Sequence, residues 1–509
     1  MSNRRKIRFI EPRGRHARPL NAWVSRWPLI GPITLATMLD QLGYDVLIYN
    51  ENISGLLDEA PTVYEDLRSA DVICLTIMTP TAARGYEIAA KLRRDGCRAK
   101  IAFGGVHATM CPEEALEYGD IVCRGEGERM IEALARGEVA DGIHQPPQVE
   151  DLDELPTLNH HLIFRFEEDL LAKCFRKELY ELPAMTSRGC PYGCVYCSVT
   201  RMFGRRIRQQ SVAKVLADLK VYQSRGFNQF FYYDDNFTSN RDWLKALLKR
   251  MAPMGVRFNT QSRIDFHWED AARRRLDKDM LRLMRRGGAQ SFYIGYETLD
   301  EATAKGWKKG YRGADSLVHR LQQDTRILEE NGFWIHGMFV IGPQHCQSDV
   351  DRIVDFAVAN KINSLQISCL TPFPGTPLFD QYRPHLVFNH FPEDWDFYDG
   401  THCVYGHSHL GMENFQNVLY DAHKRFYKLG GWNSRSIRAV LSRKMSFTGK
   451  LLELYQTGKI AARMQKAWRE EIDDFSRIVQ DRLVQQAQAK RNGTYENDPT
   501  HAKVITVDV

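Results

Sequence analysis

The stretch Arg188-Gly-Cys190-Pro-Tyr-Gly-Cys194-Val-Tyr196-Cys197 places three cysteines at C-x3-C-x2-C spacing, with an aromatic residue directly before the last one. Only 11 of the 509 residues are cysteine, so this grouping is not expected by chance. Thiolates are the preferred ligands of iron–sulfur clusters, and three of them can hold a [4Fe–4S] cluster while its fourth iron stays open to a small molecule. The alternatives are a zinc knuckle, which would need a fourth Cys or His nearby, and a set of buried thiols.

These residues resemble the signature of the radical SAM superfamily, C-x3-C-x-aromatic-C at the end of the first barrel strand. The resemblance implies that Cys190, Cys194 and Cys197 ligate a [4Fe–4S] cluster whose open iron binds S-adenosylmethionine (SAM). It also implies that the cluster reduces SAM to a 5′-deoxyadenosyl radical, which takes a hydrogen atom from the substrate. The spacing by itself predicts only a three-thiolate site with one open position.

Length and composition limit the classes of protein that fit. The chain is long enough for several domains, and no run approaches the roughly 18 apolar residues of a membrane helix. Its polar start, Met1–Lys6, has no apolar signal-peptide core. The other eight cysteines are scattered singly, at positions 74, 97, 111, 123, 174, 346, 369 and 403. We therefore expect a cytoplasmic protein without disulfides and without a nucleic-acid partner.

Residues 7–150 alternate short strands and helices, which predicts an α/β fold with a parallel sheet. The predicted strands are Ile7–Ile10, Asp45–Tyr49, Val72–Ile77, Ala99–Phe103 and Ile121–Cys123, and the predicted helices are Ile33–Leu42 and Ala82–Arg94. Gly104–Thr109 and Gly125–Glu128 follow the last two strands, where such sheets bind ligands and glycine allows close approach. A G-x-G-x-x-G motif is absent, so the pattern does not favour a dinucleotide.

This half resembles the cobalamin-binding domain that precedes the radical SAM barrel in a large subclass of the superfamily. The shared pattern is Gly-Gly-x-His-x-Thr, then Pro112-Glu113-Glu114, then Gly-Glu-Gly-Glu. The resemblance implies cobalamin contacts from Thr76, Gly104, Gly105, Val106, His107 and Glu126. The Asp-x-His-x-x-Gly pattern of free-standing cobalamin domains is replaced by Arg26-Trp-Pro-Leu-Ile-Gly31. We therefore expect cobalamin without a histidine ligand to cobalt, although some members of the subclass keep the fold and bind no cobalamin.

Six strand–helix units between Leu182 and Cys369 predict a partial (β/α)6 barrel. The predicted strands are Leu182–Thr186, Gln229–Tyr233, Arg257–Gln261, Ser291–Tyr296, Ile335–Ile341 and Ser364–Cys369. The predicted helices are Val212–Ser224, Trp243–Met251, Lys278–Arg285, Ser316–Asn331 and Asp349–Ala359. At the strand ends, the resemblance implies SAM contacts from Tyr196, Asp234, Asp235, Arg263 and Glu297. From the residues alone, Asp234 and Asp235 could equally cap a helix.

The predicted domains are a cobalamin-binding-type α/β domain at 1–145, a linker at 146–178, the radical SAM barrel at 179–400 and a helical, basic C-terminal region at 401–509 with a disordered tail. Turn-forming residues already begin at 141, which extends the linker prediction over 141–160. Aromatic residues in Trp395–His402 predict either a substrate-facing lid or a packed cluster.

Between Lys424 and Arg469 there are twelve Lys and Arg residues and one acidic residue, Glu453. Apolar residues recur there at helical spacing. Such a basic amphipathic segment is typical of a surface for anionic lipid or an acidic partner. Helices packed on the barrel with a solvated basic face would show the same pattern.

These features predict a radical SAM enzyme that modifies an unreactive carbon, with cobalamin-dependent methylation as the expected reaction. The alternatives are a radical cyclase or carbon–carbon bond-forming enzyme, similar to the magnesium-protoporphyrin monomethyl ester cyclases, and a non-catalytic iron–sulfur sensor or scaffold. The expected partners are a small-molecule substrate, with an apolar lipid as one candidate, and an electron donor such as flavodoxin or ferredoxin. If the basic segment binds anionic lipid, we expect the cytoplasmic protein to associate peripherally with the inner membrane face.

Overall fold

The computed structural model describes residues 5–14, 27–174, 177, 180–270, 272–311, 313, 315–406, 409–428, 466–485, 488 and 491. Within these ranges the chain forms two six-stranded parallel sheets, each flanked by helices. None of the helices in these ranges is long and apolar enough to span a bilayer.

The strands of the first sheet are β1 Lys6–Glu11, β2 Asp45–Asn50, β3 Val72–Thr76, β4 Lys100–Gly104, β5 Ile121–Cys123 and β6 Gly142–His144. Their order is β2-β1-β3-β4-β5-β6, and all neighbouring pairs are parallel. The inner strands are mainly apolar because helices cover both faces of the sheet, and Phe9, Ile73 and Ile101 are fully buried. The direction of winding reverses between β1 and β3, which is where doubly wound sheets bind ligands.

The helices of this domain and its connection are α1 Ile30–Gln41, α2 Glu51–Ser54, α3 Pro61–Arg68, α4 Ala82–Arg94, α5 Val106–Met110, α6 Pro112–Leu116, α7 Ile131–Arg136 and α8 Phe166–Cys174. The predicted strands and helices are present, with ends that differ by a few residues. The linker prediction was wrong for Gly142–His144, which forms β6 beside β5. A three-residue strand that starts at a glycine is too short to show an alternating pattern.

The strands of the second sheet are β7 Glu181–Ala184, β10 Gln229–Tyr232, β11 Arg257–Ser262, β12 Ala289–Glu297, β13 Trp334–Ile341 and β14 Ser364–Cys369. They follow one another in parallel from β7 to β14, as a partial barrel requires. The first strand is shorter than predicted, because after Ala184 the chain leaves the sheet for an antiparallel ribbon of β8 Ser187–Arg188 and β9 Arg208–Gln209.

The helices of this half are α9 Val199–Phe203, α10 Val212–Ser224, α11 Arg241–Met251, α12 Lys278–Arg286, α13 Glu301–Gly306, α14 Leu317–Glu330, α15 Gln347–Ala359, α16 Pro377–Tyr382 and α17 Met412–Phe426. A further helix covers 466–485. The barrel core follows the pleat of its strands: on β12, Phe292, Ile294 and Tyr296 are fully buried, while the alternate residues Tyr293 and Gly295 are half-buried on the inner side.

Trp27, which precedes α1, joins the first domain to the inside of the barrel. Its ring stacks on Phe231 at 4.2 Å between centroids and meets Tyr233 and Tyr293 edge-on at 6.4 Å. The Tyr233 hydroxyl donates to the Trp27 carbonyl at 3.3 Å. Trp27 is 5% exposed, so a residue of the first domain packs against inner side chains of barrel strands β10 and β12.

The Trp395–His402 segment is a packed cluster and not a lid. Trp395 and Tyr398 are fully buried, and Trp395 stacks on Phe391 at 3.7 Å. The Trp395 indole N–H donates to both oxygens of Glu114, at 3.0 and 3.1 Å. The segment therefore connects the end of the barrel to the first domain. Most of the basic segment, residues 429–465, lies outside the described residues.

Candidate functional site

The three signature cysteines lie on the loop that follows β8. Cys190, Cys194 and Cys197 are half-buried free thiols, and the Cys197 N–H donates to the Cys194 carbonyl at 3.2 Å. In the described ranges, no three metal-ligating side chains converge on a single ion. A [4Fe–4S] cluster needs no such convergence, because each thiolate binds a different iron. Three free thiols on one short loop therefore fit a cluster better than a mononuclear metal ion.

Gly189 sets the turn into this loop. Its φ is +92°, and a Cβ there would lie 2.4 Å from the Arg206 carbonyl oxygen, so only glycine fits. The Gly189 N–H donates to the Asp235 carboxylate at 3.1 Å. The loop thus enters the site in a fixed direction.

Asp234 and Asp235, at the end of β10, both bind the chain just before the cysteines. Asp234 is fully buried and accepts from the Thr186 N–H at 3.0 Å, the Thr186 hydroxyl at 2.7 Å and the Ser187 hydroxyl. Burial raises the pKa of Asp234, although these hydrogen bonds oppose the rise, and burial raises the pKa of Asp235 to about 7. The structure gives both carboxylates a part in holding the loop, and their contact with SAM stays a prediction.

Glu297, the last residue of β12, lies on the same edge of the barrel. Lys309 Nζ is 2.9 Å from its Oε1, while Oε2 has no hydrogen bond to any described residue. Gly295 makes room for this carboxylate, because a Cβ there would lie 2.3 Å from Oε1. The backbone of Glu297 itself has φ of +62°, which is uncommon outside glycine. A carboxylate with one open oxygen can accept from ribose hydroxyls.

Arg263 and Tyr196 pack around the cysteine loop. The Arg263 guanidinium lies 4.2 Å from the centre of the Tyr192 ring and pairs with Asp265 at 3.1 Å. Burial lowers the pKa of Arg263, but Asp265 outweighs it and the net pKa is raised. Tyr196 meets Trp307 edge-on at 5.8 Å. Sequence reasoning missed Trp307 and Lys309, although their position in the Gly-Trp-Lys-Lys-Gly turn after α13 was a usable signal.

The predicted cobalamin contacts divide into two groups, and the first lies at the carboxyl ends of β3 and β4. Thr76 and Gly104 are register partners. Gly105 has φ of +95°, and a Cβ there would lie 2.7 Å from the Ile77 carbonyl oxygen. No atom lies within 4 Å of a Cβ built on Gly104, so this backbone is open to a ligand. Val106 follows as the first residue of α5. These four residues are brought together.

The second group consists of His107 and Glu126, whose side chains contact other buried side chains of the protein. His107 is fully buried, with Nδ1 3.3 Å from the Thr79 hydroxyl and Nε2 3.1 Å from Glu114. Glu114 also accepts from Trp395, so His107 belongs to the contact between the domains. A side-chain contact of His107 with cobalamin remains a prediction.

Glu126 lies in a buried ion-pair network with residues of the antiparallel ribbon. Its Oε1 is 2.5 Å from Arg208 Nη2, and its Oε2 is 3.1 Å from Arg188 Nη1. Arg188 Nη2 lies 2.6 Å from Glu128 Oε1. Arg188 is two residues before Cys190, so the network ties the first domain to the start of the cysteine loop. Sequence reasoning missed both arginines as partners of Glu126.

The chain matches two family models. Residues 23–135 match the B12 binding domain, and residues 185–357 match the Radical SAM superfamily. These matches define the cofactors as a [4Fe–4S] cluster, SAM and cobalamin. An enzyme is therefore indicated in place of a sensor or scaffold.

Named relatives cover most of the chain. It is 26% identical to bacteriochlorophyllide d C-12(1)-methyltransferase of Chlorobaculum tepidum, over 84% of this chain and 88% of the relative. It is 24% identical to the anaerobic magnesium-protoporphyrin IX monomethyl ester cyclase of Cereibacter sphaeroides, over 72% of this chain and 62% of the relative. It is also 24% identical to hopanoid C-3 methylase of Methylococcus capsulatus, over 79% of this chain and 77% of the relative.

The fold matches that of the cobalamin-dependent SAM radical enzyme OxsB with aqua-cobalamin and SAM bound. The TM-score is 0.63 at 14% sequence identity, over 98% of this chain and 78% of that one. The domain order and the parallel barrel of the present chain agree with its two family matches. The protein therefore belongs to the radical SAM superfamily, among the enzymes that carry a B12-binding domain ahead of the radical SAM domain.

Proposed function

We propose that the protein is a cobalamin-dependent methyltransferase that acts on an unactivated carbon of a small molecule. The observation that carries this proposal is the buried network in which Glu126 of the B12-binding domain pairs with Arg188, next to the cysteine loop. This network lies where the carboxyl ends of strands from both sheets meet. Methyl transfer from cobalamin to a substrate radical needs both cofactors to reach one substrate.

Each group of residues has a separate part in this proposal. Cys190, Cys194 and Cys197 would hold the cluster, Glu297 the ribose of SAM, and the backbone at Gly104–Gly105 the corrin. When bound, SAM and the cluster supply the radical that removes a hydrogen atom, and methylcobalamin supplies the methyl group. The chain's own contribution is to fix the loop through Gly189 and Asp235.

The test uses protein reconstituted without oxygen and supplied with cobalamin, dithionite and SAM that carries a deuterated methyl group. We expect 5′-deoxyadenosine and deuteromethyl-cobalamin, both measured by mass spectrometry. A radical cyclase, favoured by the relative from Cereibacter sphaeroides, would give 5′-deoxyadenosine without methylating cobalamin. Protein that retains no corrinoid under ample supply would contradict the methyltransferase proposal.

We infer further that the substrate is apolar and derived from a membrane, and that a one-electron carrier such as flavodoxin or ferredoxin supplies the reducing electron. The relative that is a hopanoid C-3 methylase and the basic segment 424–469 support the substrate class. Each Lys or Arg near an anionic bilayer adds about 1 kcal/mol of attraction, which is sufficient for peripheral binding if several face the lipid.

A further inference from the structure

Three exposed cations on or next to segments that contact the cysteine loop have no acidic partner among the described residues. They are Arg205, Lys305 and Lys308, and none of them forms a hydrogen bond or ion pair with its side chain among the described residues. Neighbouring cations differ, because Arg206 pairs with Glu150 and Lys309 pairs with Glu297. The three residues, called here the loop cations, therefore leave a positive charge that the fold does not neutralise.

Contacts of the Arg205 side chain and of the Lys308 backbone place two of the loop cations beside the loop. The Arg205 guanidinium covers Gly193, because a Cβ on Gly193 would lie 2.7 Å from Arg205 Nη2. On the other side, the Val195 N–H donates to the Trp307 carbonyl at 3.2 Å, and Cys194 Sγ lies 4.0 Å from the Lys308 carbonyl oxygen. Lys305 lies one turn earlier, on α13.

A partner protein with an acidic surface would be attracted to the loop cations. Exposed charges around a binding site raise association rates and fix orientation, and their effect falls as salt screens it. Electron transfer slows steeply with distance. A reductant would therefore transfer its electron fastest when it binds where the cysteine loop reaches the surface. Cys194 is half-buried, its neighbour Gly193 lies beside Arg205, and its Sγ lies 4.0 Å from the Lys308 carbonyl oxygen, so a partner bound to these cations would lie close to a cluster ligand.

We propose that the loop cations are the docking surface for an acidic one-electron carrier protein. The proposal rests on the function proposed above, since a radical SAM reaction consumes one electron for each SAM it cleaves. If the carrier is a flavodoxin, its flavin hydroquinone gives up one electron and becomes a semiquinone. That electron reaches SAM through the cluster, the C5′–S bond breaks, and methionine leaves with the sulfur lone pair while the 5′ carbon keeps the unpaired electron.

The experiment compares the full-length holoenzyme with a variant in which Arg205→Gln, Lys305→Gln and Lys308→Gln are combined. The probe is recombinant flavodoxin, and its Kd for the enzyme is measured by calorimetry at low and at high salt. We expect the variant to bind at least about fivefold more weakly at low salt, with the difference disappearing at high salt. A matched control combines Lys249→Gln, Arg250→Gln and Arg286→Gln, in the last turns of α11 and α12, at the opposite end of the barrel.

Turnover separates this proposal from the proposed function. With reduced flavodoxin as electron source, we expect the loop variant to form 5′-deoxyadenosine more slowly than the control variant, whereas with dithionite the two should match. Equal flavodoxin affinity and rate in both variants would overturn the docking surface. No cleavage of SAM by the wild type with dithionite would instead overturn the proposed function. If the triple variant loses its cluster, the single variant Lys305→Glu replaces it, because this residue lies away from the loop backbone. Weaker binding of flavodoxin to Lys305→Glu would then support the docking surface, and unchanged binding would contradict it.

Discussion

Glu126 and Arg208 form an ion pair across the boundary between the two domains, with Oε1 2.5 Å from Nη2 and both side chains almost fully buried. Glu126 also accepts from the Val149 N–H at 2.9 Å, and Arg208 donates to the Val149 carbonyl at 2.6 Å. The same carboxylate faces Arg188. A glutamate in a glycine-rich, ligand-binding type of loop therefore serves as an internal counterion.

Glu126→Gln should strongly destabilise the protein. The change leaves two buried guanidinium groups with one fewer negative charge, and removing one partner of a buried pair costs about 3–5 kcal/mol. We expect a large fall in the urea midpoint. The control is Glu132→Gln, whose partner Arg136 is about half exposed, so the loss should stay below about 1 kcal/mol. Equal midpoints for the two variants would contradict a structural role for the network.

Cys190→Ser, Cys194→Ser and Cys197→Ser should each abolish the reconstituted cluster, because each thiolate is expected to bind a different iron. Iron and sulfide content and the absorbance of the cluster measure this directly. Cys346→Ser is the control, since that thiol is also half-buried but lies beside Asp349 on α15. A cluster that survives loss of a loop cysteine, or that fails without Cys346, would require a different ligand set.

Glu297→Gln should weaken SAM binding while the iron content is unchanged. A hydrogen bond to a charged group contributes about 1.5–3 kcal/mol, which corresponds to roughly tenfold or more in Kd. Calorimetry on reconstituted protein measures the affinity. Glu301→Gln, four residues further along, removes an exposed carboxylate that pairs with Arg320 and should leave SAM affinity unchanged. If Glu297→Gln binds SAM as tightly as the wild type does, the predicted contact of Glu297 with the SAM ribose is wrong.

His160 should make stability depend on pH. Burial lowers its pKa to about 3, while Nε2 lies 3.0 Å from the Pro183 carbonyl oxygen. The unfolded chain binds the proton near pH 6.5, so the contribution of neutral His160 is complete above that pH and is lost as pH falls towards 3.

His160→Gln should therefore cost less stability at pH 5.5 than at pH 7.5, by about 1.4 kcal/mol for one pH unit below the unfolded pKa. Urea unfolding of wild type and variant at the two pH values gives this difference. The control is His319→Gln, because His319 is exposed. It should change the free energy of unfolding by the same small amount at both pH values. A pH-independent penalty for His160→Gln would mean that the folded protein accepts the proton.

The basic segment 424–469 should bring the protein to anionic membranes at low salt. Electrostatic attraction to an anionic surface fades within a Debye length, so high salt should release it. Flotation with phosphatidylglycerol vesicles measures binding of the full chain and of a chain ending at residue 431. If the full-length protein stays unbound at low salt, the proposed membrane association is wrong, and it no longer supports a lipid substrate.

The regular alternation of strands and helices made the two sheets predictable, because each strand carries its own apolar pattern. Residues that act across the domain boundary were not predictable. Glu126 has the same neighbours in sequence whether it faces a corrin or Arg208, and only docking of the domains decides between them. The aromatic content of Trp395–Tyr398 was visible, but its burial depends on Glu114, which is far away in the chain.

Trp27 has a consequence for how such enzymes can be divided or recombined. Its indole belongs to the first domain but occupies space against Phe231 and Tyr293 of the barrel. A barrel excised without that domain would leave the Phe231 and Tyr293 rings uncovered, and a chimera with a foreign B12-binding domain would need a ring of similar size at this point. The interior of the barrel at this point is thus formed by both domains, and a substitution at Phe231 or Tyr293 has to be compatible with the Trp27 ring.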